Sequence, residues 1–206
     1  MSKVEERLLE IKAVFLNPKK PFTWASGIIS PIYCDNRLIL SYPEIRHEIE
    51  RALAKLVSEK FPDAEILMGT ATAGIPHAAY VSEYLNLPMG YVRSSSKDHG
   101  RNNQIEGHYE KGNKVVVIED LISTGKSSIE VIKALQEADL EVLGCVSIFS
   151  YGFQEAKEAF LKVGVPYYSL ANFNELVQIA SELNYIDKED LSDVLEWRKA
   201  PREWRK

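Results

Sequence analysis

Residues 115–128, VVVIEDLISTGKSS, combine groups that can handle a sugar phosphate. Four apolar residues run into two adjacent carboxylates, Glu119 and Asp120. A hydroxyl-rich turn, Ser123, Thr124, Gly125, Lys126 and Ser127, follows and leads into a helical pattern. Open α/β sheets bind ligands beyond the carboxyl ends of their strands, and the two acids are expected there. Adjacent residues leaving a strand point in different directions, so the pair is expected not to share one proton. They can instead accept hydrogen bonds from neighbouring hydroxyls, such as those of a ribose. Backbone N–H groups at the following helix N-terminus make an anion site, and Gly125 permits close approach of the backbone. A Walker A loop would need glycine at position 120, where Asp120 stands. The plain alternative is a pair of solvated acids followed by an ordinary helix cap.

Residues 93–107, RSSSKDHGRNNQIEG, are polar and punctuated by glycine. A loop this long inside a domain is usually functional or disordered. Arg93, Lys97, His99 and Arg101 face only Asp98 and Glu106 as opposing charges. A cationic loop of this kind can close over a pyrophosphate and stabilise charge on a leaving group. A surface loop with no such task is the alternative.

The flanking elements must position these groups. Val4, Leu8, Ile11 and Phe15 predict one helix over residues 3–16, ended by Pro18 and Pro21. Residues 22–34, FTWASGIISPIYC, read as a hairpin or an extended hood. Residues 42–61 form an amphipathic helix opened by Pro43. Strands are then predicted at AEILMGT, LPMGYVR, NKVVVIED, EVLGCVSIFS and VPYYSL, each but the second followed directly by a helix. Near-continuous apolar strands alternating with helices mean a parallel sheet covered on both faces. The fold class is therefore α/β, a parallel sheet flanked by helices with a small N-terminal hood. Residues 1–206 are read as one domain, with residues 1–40 supplying the N-terminal helix and hood.

The bulk composition sets limits. The chain has 206 residues, 45% hydrophobic and 27% charged, with a formal net charge of −5. That charge argues against nucleic acid and anionic membranes as partners. No apolar run approaches the roughly 18 residues of a membrane span, and the N-terminus has no signal-peptide core. Cys34 and Cys145 lack metal-ligand or CxxC spacing and are expected to be reduced residues in or near the core. The basic tail WRKAPREWRK is expected to be solvated, and His77, at a helix start, to make a local hydrogen bond.

The strand, acid pair and Thr-Gly turn resemble the 5-phosphoribosyl-1-pyrophosphate (PRPP) signature of type I phosphoribosyltransferases. Arg93 followed by Lys97-Asp98-His99-Gly100 resembles the catalytic loop of the orotate phosphoribosyltransferases. FTWASG with SPIYCDNR near the N-terminus and GTATAG at residues 69–74 extend that similarity over most of the chain. The resemblance implies the type I phosphoribosyltransferase fold and transfer of phosphoribose from PRPP to orotate in UMP biosynthesis. It implies catalytic roles for Lys97, His99 and Arg93, which would also contact PRPP. Glu119 and Asp120 would hold the ribose, and Leu121, Ile122, Ser123, Thr124, Gly125, Lys126 and Ser127 would surround the 5-phosphate. Ser123 and Tyr33 would border orotate. It further implies Mg²⁺ carried mainly by PRPP, a cytoplasmic homodimer, and a mobile loop shared between subunits. A phosphoribosyltransferase for another base and a noncatalytic PRPP-binding regulator are the alternatives. The chain departs from many members at Ile29, Ala73 and Ser94, where relatives can carry lysine, and has no arginine between Arg101 and Arg198.

Overall fold

Helix α1 (Val4–Glu10) stops sooner than its apolar spacing predicts. The structure, a computed structural model, describes residues 3–24, 26–93 and 104–205. Lys12 takes a left-handed backbone, φ 55°, which ends the helix. The chain then extends as β1 (Val14–Leu16), antiparallel to β4 (Ile32–Cys34), with Phe15 opposite Tyr33. Val14 is buried and Phe15 exposed, the alternation of a strand. Phe15 fits a helical spacing from Ile11 by coincidence, because a β-branched and aromatic run serves a strand better. The hood is a hairpin: β2 (Phe22–Thr23) pairs with β3 (Ile29–Ser30), and Gly27, φ 81°, allows the turn. A 3₁₀ helix at Asn36–Ser41, not predicted, leads to α2 (Pro43–Lys60).

Six strands form the main sheet. They are β5 (Ile66–Thr70), β6 (Met89–Val92), β7 (Ile105–Glu106), β8 (Lys114–Ile122), β9 (Glu141–Ser150) and β10 (Tyr167–Asn172), in the order β10-β9-β8-β5-β6-β7. The parallel pairings of β6, β5, β8 and β9 are those expected of the strand–helix alternation. Short β7 returns antiparallel to β6 and was not legible in its polar surroundings. Val115 to Ile118 are fully buried, as a sheet covered on both faces requires. Helix α3 (Gly74–Leu85) packs on β5 and β8, and α4 (Lys126–Glu137) on β8, β9 and α5 (Gln154–Val163). Val115 and Val117 point into the cluster that holds Val131, Ile132 and Leu135 of α4 and Phe160 of α5.

Two polar features sit inside this framework. His77 of α3 lies 2.5 Å from Glu50 of α2, Nδ1 to Oε1, with both side chains fully buried. The bond joins two helices and is not the local one expected. Cys145 is buried and Cys34 half-buried, and both are free thiols.

The described chain divides into two compact units, one of His47–Leu170 and one of Met1–Arg46 with Ala171–Lys206. The hood's own unit thus includes both chain ends. Helix α6 (Phe173–Glu182) opens on Asn172, whose side chain accepts the Glu175 N–H, and packs on α1. Helix α7 (Leu191–Lys199) carries Trp197, which is fully buried. Its ring lies 5.6 Å from Trp24 and 5.5 Å from Phe173, and its N–H donates to the Ile29 carbonyl at 2.9 Å. Trp204 and Arg205 both bond Asp193. The basic tail is therefore anchored, which corrects the expectation of a solvated end. Its charges hid an indole that packs as core.

Trp197→Ala removes that indole and leaves a cavity. It is expected to cost about 3–5 kcal/mol, read as a lowered guanidinium midpoint by far-ultraviolet circular dichroism.

Candidate active site beyond strand β5

The central strands end at different heights. β5 pairs with β8 only as far as Gly69 opposite Ile118. β8 continues against β9, with Glu119 opposite Ser147, Leu121 opposite Phe149 and Ile122 opposite Ser150. The two acids therefore lie within the strand and not at its end, as had been expected. They sit where β8 has outrun its neighbour, so one side of the strand borders the turn that follows β5.

Period-two alternation places Glu119 on the face of Val115 and Val117, toward α4. The side chain is 5% exposed. Thr70 Oγ1 donates to its Oε1 at 2.6 Å, the Asp120 N–H to the same oxygen at 3.0 Å, and Ser128 Oγ to Oε2 at 3.0 Å. Burial, followed by the charge and hydrogen bond of Asp120, pushes the Glu119 carboxyl up to about 8. Asp120 is half-buried.

Two turns flank the acids. After β8, Ser123 and Thr124 are half-buried, and Gly125, φ 80°, is the N-cap of α4 without a side-chain cap. A Cβ at Gly125 would stand 3.3 Å from the Phe160 ring, so glycine suits both the turn and the packing. The first-turn N–H groups of a helix have no intrahelical acceptors, which equips this turn for an anion. Ile122 is fully buried in the core, while Leu121 is half-buried. Lys126 and Ser127 are exposed, and Lys126 Nζ lies 4.0 Å from Glu130.

The second turn, after β5, contains a cis Ala71–Thr72 peptide and enters α3 at Gly74. A Cβ at Gly74 would overlap the Ile118 carbonyl and the Thr70 hydroxyl, so only glycine lets α3 start this close to β8. Arg93 follows β6. Its N–H donates to the Gln104 carbonyl at 2.9 Å, and its guanidinium lies 3.6 Å from Glu106. A cleft of about 420 Å³ is lined by Thr70, Ala71, Arg93, Gln104, Ser127 and Glu130, among others. The turn after β5, the first turn of α4 and Arg93 thus border one space.

Lys97 and His99 lie outside the described residues. Tyr33 belongs to the other unit, is 39% exposed, and has its ring 6.0 Å from Phe22. Tyr151 is buried between Phe149 and Phe153. Among the described residues no three His, Cys, Asp or Glu side chains cluster as metal ligands. The sequence reading missed the hydroxyls of Thr70 and Ser128. Ser128 did carry a signal: it shares a helix face with Val131, Ile132 and Leu135, where a polar residue needs an interior partner.

The phosphoribosyl transferase domain family matches residues 38–179. Orotate phosphoribosyltransferase from Bacillus subtilis (strain 168) is 56% identical over 203 residues, covering 98% of this chain and 94% of that protein. Among solved structures, orotate phosphoribosyltransferase from Aeropyrum pernix superposes with a TM-score of 0.77 at 28% identity, over 89% of this chain and 99% of that one. Leishmania donovani UMP synthase gives a TM-score of 0.81 at 30% identity, over 95% of this chain. The chain spans 41% of that longer protein.

The raised Glu119 carboxyl has a consequence for stability. The folded chain holds a proton that the unfolded chain releases near 4.5. The resulting stabilisation is complete below pH 4.5 and is lost as pH rises toward about 8. The slope within that window reaches at most about 1.4 kcal/mol per pH unit. Glu119→Gln should flatten this part of the profile, measured as the denaturant midpoint between about pH 5 and about pH 8.5.

Proposed function

The chain belongs to the phosphoribosyl transferase family, among the orotate phosphoribosyltransferases, and from that premise we propose how its residues carry out the reaction. It transfers the 5-phosphoribosyl group of PRPP to orotate, giving orotidine 5′-phosphate and pyrophosphate for pyrimidine biosynthesis. The observation that carries the reading is the joining of two anion-suited turns at Glu119, to which Thr70 and Ser128 both donate, beside a cleft lined by Thr70, Ala71, Arg93 and Ser127.

The 5-phosphate takes the turn at Ser123, Thr124, Gly125, Lys126 and Ser127, where main-chain N–H groups and hydroxyls converge. Asp120 accepts from ribose hydroxyls. The pyrophosphate lies against the turn at residues 70–74 and against Arg93. Lys97 and His99, on the loop outside the described residues, add cationic donors as charge builds on the leaving group. Ser123 also borders orotate. Displacement at the anomeric carbon builds positive charge on the ribose ring, as in glycoside chemistry, and Asp120 keeps that ring placed. Orotate arrives as an anion, so the reaction needs no strong protein base.

Mg²⁺, held mainly by oxygens of PRPP, supplies charge neutralisation at the pyrophosphate when bound. Asp120 is a hard oxygen donor of the kind this ion accepts. We place the protein in the cytoplasm as a homodimer whose loop is shared between subunits. No helix among the described residues is long and apolar enough to cross a membrane.

The direct test follows orotate absorbance over time with PRPP and Mg²⁺, each omitted in turn, beside uracil and adenine as competing acceptors. Turnover with orotate alone among the bases is expected, and turnover with another base in its place would overturn the assignment. Lys97→Ala should lower kcat by about 10²–10³ while equilibrium binding of PRPP survives. An unchanged kcat would remove Lys97 from the chemistry.

A further inference from the structure

Glu50 and His77 are fully buried and lie 2.5 Å apart, Oε1 to Nδ1, and the reaction as assigned uses neither. Their bond joins the middle of α2 to the first turn of α3, just after Gly74 closes the turn assigned to pyrophosphate. The other ring nitrogen of His77, Nε2, is buried without a hydrogen-bond partner among the described residues. The same two helices otherwise bury apolar side chains such as Ile49, Leu53, Ala78 and Val81. An ionisable pair in such a setting adds little to stability, because the cost of taking both groups out of water offsets most of their attraction. We infer that Glu50 and His77 are positioning residues: their bond fixes α3, and so holds the main-chain N–H groups of residues 72–74 where they receive the pyrophosphate of PRPP. The inference rests on the phosphoribosyl-transfer reading of the site.

This turn binds through its backbone. Ala71, Thr72, Ala73 and Gly74 carry no charged side chain. The Ala71 N–H donates to the Val92 carbonyl at 3.0 Å and the Ile75 N–H to the Thr72 carbonyl at 3.3 Å. An anion is therefore met by the N–H groups between them, and these point where the start of α3 directs them. The contact of α3 with the sheet sets its distance but not its register. It runs over glycine: a Cβ at Gly69 would stand 2.9 Å from the Ile75 Cα, and one at Gly74 would overlap the Ile118 carbonyl. A glycine surface allows close approach but has no side chain to interlock with, so it leaves sliding and rotation of the helix weakly opposed. A short hydrogen bond between two interior side chains is directional. Reaching α2 from the first turn of α3, it opposes both movements. Selecting one register among several is the best-attested use of a buried polar contact.

Inorganic pyrophosphate and ribose 5-phosphate separate this role from a merely structural one, because only the first uses the turn after β5. Both are titrated at equilibrium into wild type, Glu50→Gln, Glu50→Asp and the double variant Glu50→Leu/His77→Leu, and the KM for PRPP is measured beside them. The double variant replaces the pair with apolar side chains, an exchange that buried pairs often accept without loss of stability. It should bind ribose 5-phosphate within about threefold of wild type, bind pyrophosphate about tenfold more weakly and raise the KM for PRPP about tenfold. Glu50→Gln keeps an acceptor for the His77 N–H and should hold pyrophosphate within about threefold of wild type. Glu50→Asp keeps the charge on a shorter arm. It should weaken pyrophosphate about fivefold and leave ribose 5-phosphate unchanged, which decides the matter where the double variant does not fold. Wild-type pyrophosphate affinity in the folded double variant, or in Glu50→Asp in its place, would overturn the inference. So would equal losses for both ligands, or a loss in Glu50→Gln as large as in the double variant. If wild type binds neither ligand, the phosphoribosyl reading itself falls, and this inference with it.

Discussion

A carboxyl drawn into a protein interior must find donors, because the cost of stripping its water is otherwise prohibitive. The site is organised by that constraint at Glu119. Its enclosure depends on β8 continuing beyond β5, on α4 bringing Ser128 against the strand, and on α3 approaching closely enough for Thr70 to reach across. Gly74 makes the last condition possible. Donors from β5, β8 and α4 thus meet on one pair of oxygens, Thr70 from 49 residues away in sequence. A group that links them also fixes the separation of the turns they begin or end, which is what a substrate charged at both ends requires of its site.

Much of this was legible in the chain itself. The α/β alternation and the places of α2, α4 and α5 follow from apolar periodicity, because parallel strands must be covered by amphipathic helices. The signal failed where two readings share one pattern. Val14 and Phe15 fit a helical spacing from α1, and only the left-handed Lys12 and the pairing with β4 decide for a strand. The acids at 119 and 120 looked like a strand end because charge usually marks one. Pairing with β9, a partner about 30 residues away in sequence, carries the strand through them. Composition could not foresee the burial of Glu119, since that depends on enclosure by residues 70 and 128.

The tail shows the same limit in the opposite direction. Six of the last ten residues are Lys, Arg or Glu charges among WRKAPREWRK, a composition that suggests solvent. Burial is decided by what a side chain meets in space, and Trp197 meets Trp24, Phe173 and the Ile29 carbonyl. Ile29, where relatives can carry lysine, thereby serves through its backbone.

Joining the first and last segments in one unit also dictates an order of assembly. On the ribosome, the hood and α1 emerge long before α6 and α7 exist to cover them. Residues 47–170 must be made in between, and at roughly 5–20 residues per second the delay is of the order of ten seconds. Throughout that interval Trp24 lacks its partners Trp197 and, through that ring, Phe173, and the hood reaches its final packing only once α6 and α7 have been made.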